Sequence, residues 1–508
     1  VGFAGAMSTS SMPIVLPDYH NFALRSDSVF AVGNSQEASD GTAMGPNIAA
    51  IDSAETQNIY VCQTSCGGTG PYLDSPAPPI AKSFFGEHVN VTTDPFPTIS
   101  FGAYRNLTGQ TDWADIETAS GTYGFTKLNG WLSKAATSGV DALYTFFRTP
   151  AFYSSNPTGS CTGASTGTCY PPTDIASSCT NVNTLNDCDG KTDGTDQHFK
   201  NFVTAFVGDV GTQVSFYEGW NEYNQTWAGT TAQLLRMMQD ARAIVLAANP
   251  SAKFLNPSVV FTYNPTTWAT NLTPWTTLMS TSGMDAVTDI INIHGYTLNT
   301  PSSLSVAELE VPLVTGVRAT LDVANSTKPL WISEFGWGAS MTNGFTDSDQ
   351  RAAYVSRAEI IAASLGAQRT YWFGWDEGNG AGTLWWANNT DSEGCNGTGV
   401  ADAGGYLCEA GAAMQTVYNW LLHARPQGSC GGPAYPSLGV WSCLFTQAGT
   451  GEVAEIVWDS SQTCIVGSCT TSTYRPSPSY THYSNLAGQT TAINGGVVQI
   501  GAKPILLN

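Results

Sequence analysis

Two short runs carry the carboxylates best placed for chemistry. FYEGWNEYN (216–224) holds Asn221 and Glu222 among aromatic residues, and WISEFGW (331–337) holds Glu334 in a similar setting. Burying an unpaired ion is costly, so a carboxylate inside an apolar run is either paired or used. The pattern stands out because only 12% of the 508 residues are charged, against roughly 25% in an average globular chain. Two carboxyls facing each other across a cleft are equipped to break a glycosidic bond. One attacks the anomeric carbon; the other protonates the leaving oxygen and later activates water. Repulsion between them favours keeping one proton on the pair, which the acid needs. A separation of about 5–5.5 Å gives retention of configuration, and about 6.5–9.5 Å gives inversion.

What must hold these residues is a rhythm of strands and helices. Eight β-rich runs recur: SFFGEHVN (83–90), TISFGAYR (98–105), DALYTFF (141–147), VSFYEGWN (214–221), KFLNPSV (253–259), IINIHGY (290–296), LWISEFG (330–336) and TYWFGW (370–375). Several are apolar nearly throughout, as strands buried on both faces are. Amphipathic helices lie between them. Leu128, Trp131, Leu132 and Ala135 keep a helical period, as do Leu234, Met238, Ala241, Val245 and Ala248. Tyr354, Ala358, Ile361 and Leu365 repeat it, with Asp347 and Ser348 as caps. The expectation is an α/β fold, a parallel (β/α)8 TIM barrel. No Gly-rich phosphate turn follows a strand, which argues against an open doubly wound sheet. Glu222 then ends strand four and Glu334 strand seven, on opposite sides of the barrel mouth.

After Pro426 the period changes. VWSCLF, EVAEIVWD, YTHYSNL, GGVVQIG and KPILLN read as short strands between Gly/Ser/Pro turns. The expected plan is a helix-poor segment over 1–80 available to add strands to the β domain, a catalytic barrel over 81–425, and an accessory antiparallel β-sandwich over 426–508. Two long loops, 153–195 and 376–411, fall on the C-terminal face of the barrel, where active sites of this fold are built.

Other strand-end residues fill in the site. Glu218 shares the strand-four face but lies deeper, and reads as a barrel-interior residue pairing with Arg105 or Arg148. Glu87, Asp376 and Glu377 rank below it as acids. His294 and Tyr296 end strand six. His88 and Asn90 end strand one and Arg105 ends strand two, placed to bind hydroxyls or orient Glu334. Trp375 ends strand eight, where an aromatic platform suits the C–H face of a sugar ring. Trp372 reads as packing, and Trp337, Trp385 and Trp386 as lining for outer subsites.

The chain resembles the clan A retaining glycoside hydrolases, and within them family 39. The resemblance rests on the Asn221-Glu222 pair, on Glu334, on the stretch TDWADIETASGTYGFTKLNGWLSKAATSGVDALYTF from Thr111, on Thr149-Pro150, and on the run Glu218 to Asn224. It covers roughly residues 83–380. Tyr223 departs from it, standing where a proline commonly follows the acid/base glutamate. The resemblance implies Glu222 as acid/base, Glu334 as nucleophile and Asn221 on the sugar 2-hydroxyl. It also implies that a His or aromatic residue near 294–296 contacts the nucleophile. The expected partner is an oligo- or polysaccharide, with no cofactor and no metal.

Composition narrows the alternatives. With 19 Lys+Arg against 40 Asp+Glu the net charge is −21, and so few cations make few phosphate contacts, which argues against nucleic acid. Hydrophobic content of 42% argues against disorder, and no apolar run is long enough for a membrane span. Twelve cysteines fall as six neighbouring pairs (Cys62/66, 161/169, 179/188, 395/408, 430/443 and 464/469), read as local disulfides of an oxidising compartment. Seven Asn-x-Ser/Thr sequons (Asn90, Asn106, Asn224, Asn271, Asn325, Asn388, Asn396) fit a secreted glycoprotein, and the opening VGFAGAMSTSS fits a signal peptide already removed. Extracellular or periplasmic location is expected. A non-catalytic carbohydrate-binding barrel would need neither glutamate. A transglycosylase would use the same covalent intermediate, and an esterase would need a G-x-S-x-G elbow that is absent.

Overall fold

The computed structural model describes residues 77–508 apart from 90–92, 108, 176–193, 264–269, 298–306, 325, 338–346, 377–382, 390–394, 396, 435–436 and 466. Expectations for residues 1–76, Asn90, Glu377, the sequons at Asn325 and Asn396, and Cys62, Cys66, Cys179 and Cys188 therefore lie outside the described residues.

All eight expected barrel strands form: β1 (Phe85–His88), β2 (Ala103–Asn106), β3 (Asp141–Thr145), β4 (Phe216–Glu218), β5 (Lys253–Leu255), β6 (Ile291–His294), β7 (Leu330–Phe335) and β8 (Arg369–Trp372). They are parallel, in the order β6-β7-β8-β1-β2-β3-β4-β5. A parallel bridge from Leu255 to Ile290 joins the two ends and closes the barrel. Helices α1 (Thr126–Ser138), α2 (Gln197–Val210), α3 (Thr231–Ala248), α4 (Thr273–Met279), α5 (Glu310–Val323) and α6 (Ser348–Ser364) separate strands from β2 to β8. The expected cap of α6 is present, with Asp347 accepting from the Gln350 amide.

Alternation along the strands sorts the barrel interior into layers. Ala103, Leu143, Leu255, Ile290, Trp331 and Tyr371 form one apolar cluster with Phe216 against it. Two residues further along β2, β3, β4 and β7 come Arg105, Thr145, Glu218 and Ser333, all buried. The barrel thus rises from an apolar floor into a polar layer, and the mouth lies above it.

After α7 (Glu409–Leu421) the chain turns to strands. β9 (Arg425–Pro426), β10 (Val440–Thr446), β11 (Val453–Asp459), β12 (His482–Ser484), β13 (Thr490–Ala492) and β14 (Ile505–Leu507) make an antiparallel sheet ordered β9-β10-β11-β14-β12-β13. A smaller ladder pairs Ser472–Tyr474 with Val498–Ile500. Val457, Val498, Ile500, Ile505 and Leu507 from the two ladders share one apolar cluster. This accessory domain covers α6, which is buried nearly all round. Trp458 Nε1 donates to Glu308 Oε1 at 2.8 Å and the Cys430 amide to Ser364 Oγ at 3.1 Å. Among the described residues four disulfides, Cys161–Cys169, Cys395–Cys408, Cys430–Cys443 and Cys464–Cys469, join neighbours in sequence. Among the described residues no helix is long and apolar enough to cross a membrane.

Candidate active site

The Glu222 side is built by a turn. β4 stops at Glu218, and Glu222 takes a left-handed backbone (φ 45°, ψ 54°) before the single helical turn Tyr223–Thr226. A non-glycine residue held there costs on the order of 1–3 kcal/mol and persists only where its surroundings enforce it. The enforcement comes from the chain beyond β5. The Glu222 amide donates to Ser258 Oγ at 2.8 Å, the Tyr223 amide to Ser258 O at 3.0 Å, and the Ser258 amide to Trp220 O at 2.9 Å. Thr226 Oγ1 closes the turn on Asn221 O and receives Trp220 Nε1 at 3.0 Å.

The opposite side is built by an irregularity in β7. Ile293 pairs with Ile332 but His294 with Glu334, so one residue of β7, Ser333, is extra in that register. Strict alternation would put Trp331 and Ser333 inside and Glu334 outside. The bulge turns Glu334 to the inner side, as bulges beside sites do.

One cation sits between them. Arg105 Nη1 donates to Glu334 Oε2 at 2.7 Å, Nη2 to Asn221 Oδ1 at 2.9 Å and Nε to Glu218 Oε2 at 2.8 Å. Burial works against its charge, but Glu218 and Glu334 outweigh that and hold its pKa above the usual value. Tyr296 donates its phenol to Glu334 Oε1 at 2.7 Å, and His294 Nδ1 lies 2.9 Å from Glu222 Oε1. The side chain of Glu222 is 18% exposed and that of Glu334 9%, whereas His294 is fully covered. One oxygen of Glu222 and one of Glu334 lie within 4.8 Å of each other.

The structure therefore brings Glu222, Glu334, Asn221, Arg105, His294 and Tyr296 into one network. His88 joins from below, with Nε2 3.0 Å from Ser333 O and 3.3 Å from Arg105 Nη1. Burial first, and the Arg105 charge second, push its pKa well below the usual histidine value. Neither His88 nor Arg105 has exposed surface for a hydroxyl, and Arg105 instead orients Glu334. Trp375 differs from expectation. Its ring is fully covered, its N–H bonds Pro95 O at 2.9 Å, and it stacks on Trp385 at 6.4 Å, so no face is open to a sugar. Trp337 and Trp385 are buried too, and only Trp386 of that group is half-exposed. Trp372 packs on Phe335 and Trp337. Sequence reasoning missed Ser258, Thr145 and the Ser333 bulge, none of which has a signal in local pattern.

Glu222, His294 and Glu334 also offer three atoms at a spacing a metal accepts. Their donors are already matched: Arg105 supplies positive charge to Glu334 Oε2, and Tyr296 fills Oε1. The other such group among the described residues is Asp349 with Cys464 and Cys469, whose sulfurs are joined in a disulfide.

No family model and no curated protein matches the sequence. Among solved structures, a family 39 glycoside hydrolase from the gut symbiont Bacteroides cellulosilyticus WH2 is similar over 80% of this chain and 75% of its own. The identity is 14% and the TM-score 0.51. The chain shares its fold with that family 39 structure. A glucosidase from Croceicoccus marinus matches 85% of this chain and 96% of its own, at 14% identity and TM-score 0.49. A family 30 endoxylanase from Clostridium papyrosolvens C71 matches 85% and 97%, at 13% and 0.48.

Proposed function

We propose that this protein is a secreted retaining glycoside hydrolase of a β-linked oligo- or polysaccharide. The observation that carries the reading is the approach of Glu222 and Glu334 to within 4.8 Å at the barrel mouth. An oxygen pair this close favours the short class of about 5–5.5 Å between carboxyl groups, which leaves room for a sugar carbon but not for an intervening water. Glu334 attacks the anomeric carbon and forms a glycosyl-enzyme ester while Glu222 gives its proton to the leaving oxygen. Glu222 then takes a proton from water, which displaces the sugar from Glu334 with a second inversion.

The rest of the network has matching work. Arg105 and Tyr296 each hold one oxygen of Glu334, so the nucleophile needs no reorganisation as it reacts. Asn221, which accepts from Arg105, takes the sugar 2-hydroxyl in this reading. The fold shared with a family 39 glycoside hydrolase supports the reading, and the disulfides support an extracellular setting.

The test is a panel of polysaccharides and aryl β-glycosides, with Glu334→Gln as control and product anomers followed by NMR at early times. Turnover with retained configuration, lost in the variant, is expected. Inverted product, or a Glu334→Gln variant as active as the parent, refutes the mechanism.

A further inference from the structure

Beneath the two mouth carboxyls lies a third with no role in bond breaking. Glu218 and Arg105 are both fully buried. Glu218 Oε2 receives Arg105 Nε at 2.8 Å and Thr145 Oγ1 at 2.8 Å, and lies 2.7 Å from Arg105 Nη2. Among the described residues Glu218 Oε1 has no hydrogen-bond partner, and neither has His294 Nε2, 3.9 Å away. The same guanidinium holds Glu334 and Asn221. One positive charge is therefore divided between two carboxylates, where charges interact far more strongly than in water.

Resting on the proposed function, we infer that Glu218 is a positioning residue that tunes the nucleophile through Arg105. By drawing part of the Arg105 charge it keeps Glu334 from being fully neutralised, and it aims Nη1 at Glu334 and Nη2 at Asn221. The consequence differs between the two half-reactions. In the first, a Glu334 oxygen forms its bond to the anomeric carbon while the bond to the leaving oxygen breaks. That electron pair goes to the leaving oxygen, which takes the Glu222 proton, and Glu334 loses its charge. In the second, water attacks, its proton goes to Glu222, and the charge returns to Glu334 as the ester bond breaks. A tighter Arg105–Glu334 pair opposes the first step and assists the second. Glu218 therefore favours formation of the ester at the expense of its release.

The experiment uses dinitrophenyl fluoroglycosides of glucose and xylose, which form the ester with Glu334 measurably and release it slowly. Glu218→Gln keeps the shape and removes the charge. Formation is expected to slow about ten- to hundred-fold while release stays level or quickens. Glu218→Asp, which keeps the charge, recovers most of the formation rate. A merely structural residue would lower both rates together; that outcome, or no change in formation, overturns the inference. Should Glu218→Gln not fold, Thr145→Val carries the test. Without the threonine hydroxyl, Glu218 Oε2 draws more on Arg105, so formation holds or quickens and release slows, and the reverse order overturns the idea. If the parent protein hydrolyses a glucoside or xyloside of the panel yet the matching reagent does not label Glu334, the covalent mechanism of the proposed function itself fails. A parent that labels, with a variant slowed equally in both steps, sinks only the role of Glu218.

Discussion

Tyr296 donates its phenolic O–H to Glu334 Oε1 at 2.7 Å, with both side chains almost wholly covered. Burial first, and the Glu334 charge second, raise the phenol's pKa well above its usual value, so it stays a donor at ordinary pH. A hydrogen bond to a charged group contributes about 1.5–3 kcal/mol. Tyr296→Phe is expected to lower kcat about ten- to hundred-fold while lowering the melting temperature by only a few degrees. Steady-state kinetics on an aryl glycoside together with a thermal melt check this; a loss explained wholly by unfolding would refute it.

Ser258 holds the left-handed turn at Glu222. Ser258→Ala leaves the Glu222 amide without its acceptor, at about 1–3 kcal/mol for the lost partner. The misplaced acid is expected to slow substrates with poor leaving groups more than activated ones, which need little proton donation. Comparing unactivated oligosaccharides with dinitrophenyl glycosides reads this out. Equal losses on both would mean that Ser258 does not act through Glu222.

Glu308 ties the barrel to the accessory domain, accepting from Trp458 Nε1 at 2.8 Å and lying 3.3 Å from Arg357 Nη1, both charges buried. Glu308→Ala strands the Arg357 charge and is expected to destabilise by about 3–5 kcal/mol. The double change Glu308→Leu, Arg357→Met removes both charges and should recover most of that loss. Urea denaturation of the three proteins decides it; a double variant no better than the single one contradicts the buried-charge account.

Stability should fall as pH rises. Glu359 is fully buried, and burial pushes its pKa from 4.5 up to about 8, against a smaller opposing effect of its Thr370 hydrogen bond. Glu87 and Glu310, buried with no partners for their oxygens among the described residues, are raised too, by burial first and by Glu359 next. The folded chain then holds protons that the unfolded chain has released, so the Glu359 contribution is full below about 4.5 and gone once the pH passes about 8. Glu359→Gln is expected to flatten this loss by on the order of 3 kcal/mol between pH 5 and pH 8. Denaturation curves at the two pH values test it, and an unchanged slope would exclude Glu359 as the source.

The elements were legible in the sequence because burial pattern is local. A strand covered on both faces reads as an apolar run, and α1, α3 and α6 read from spacing alone. Glu222 and Glu334 were legible for a related reason: a carboxylate within an aromatic run of a charge-poor chain needs a purpose. The pairing of Arg105 with Glu218 was half legible, since a buried acid needs a cation but two arginines, Arg105 and Arg148, were available. Arg148 instead lies 3.4 Å from Asp112.

What the sequence by itself determined is the barrel, the accessory strands and the two carboxylates at the ends of β4 and β7. Only the tertiary structure decided how those carboxylates face each other. Glu334 points inward because β7 bulges at Ser333 against β6, a register set by the neighbouring strand and not by alternation. Glu222 keeps its left-handed backbone because Ser258, 36 positions away, is folded beside it. Trp375 lost its expected open face for the same reason, since Trp385 returns from the loop to cover it. Residue type and spacing encode which atoms need burial or a partner; closure of the barrel selects which partner arrives.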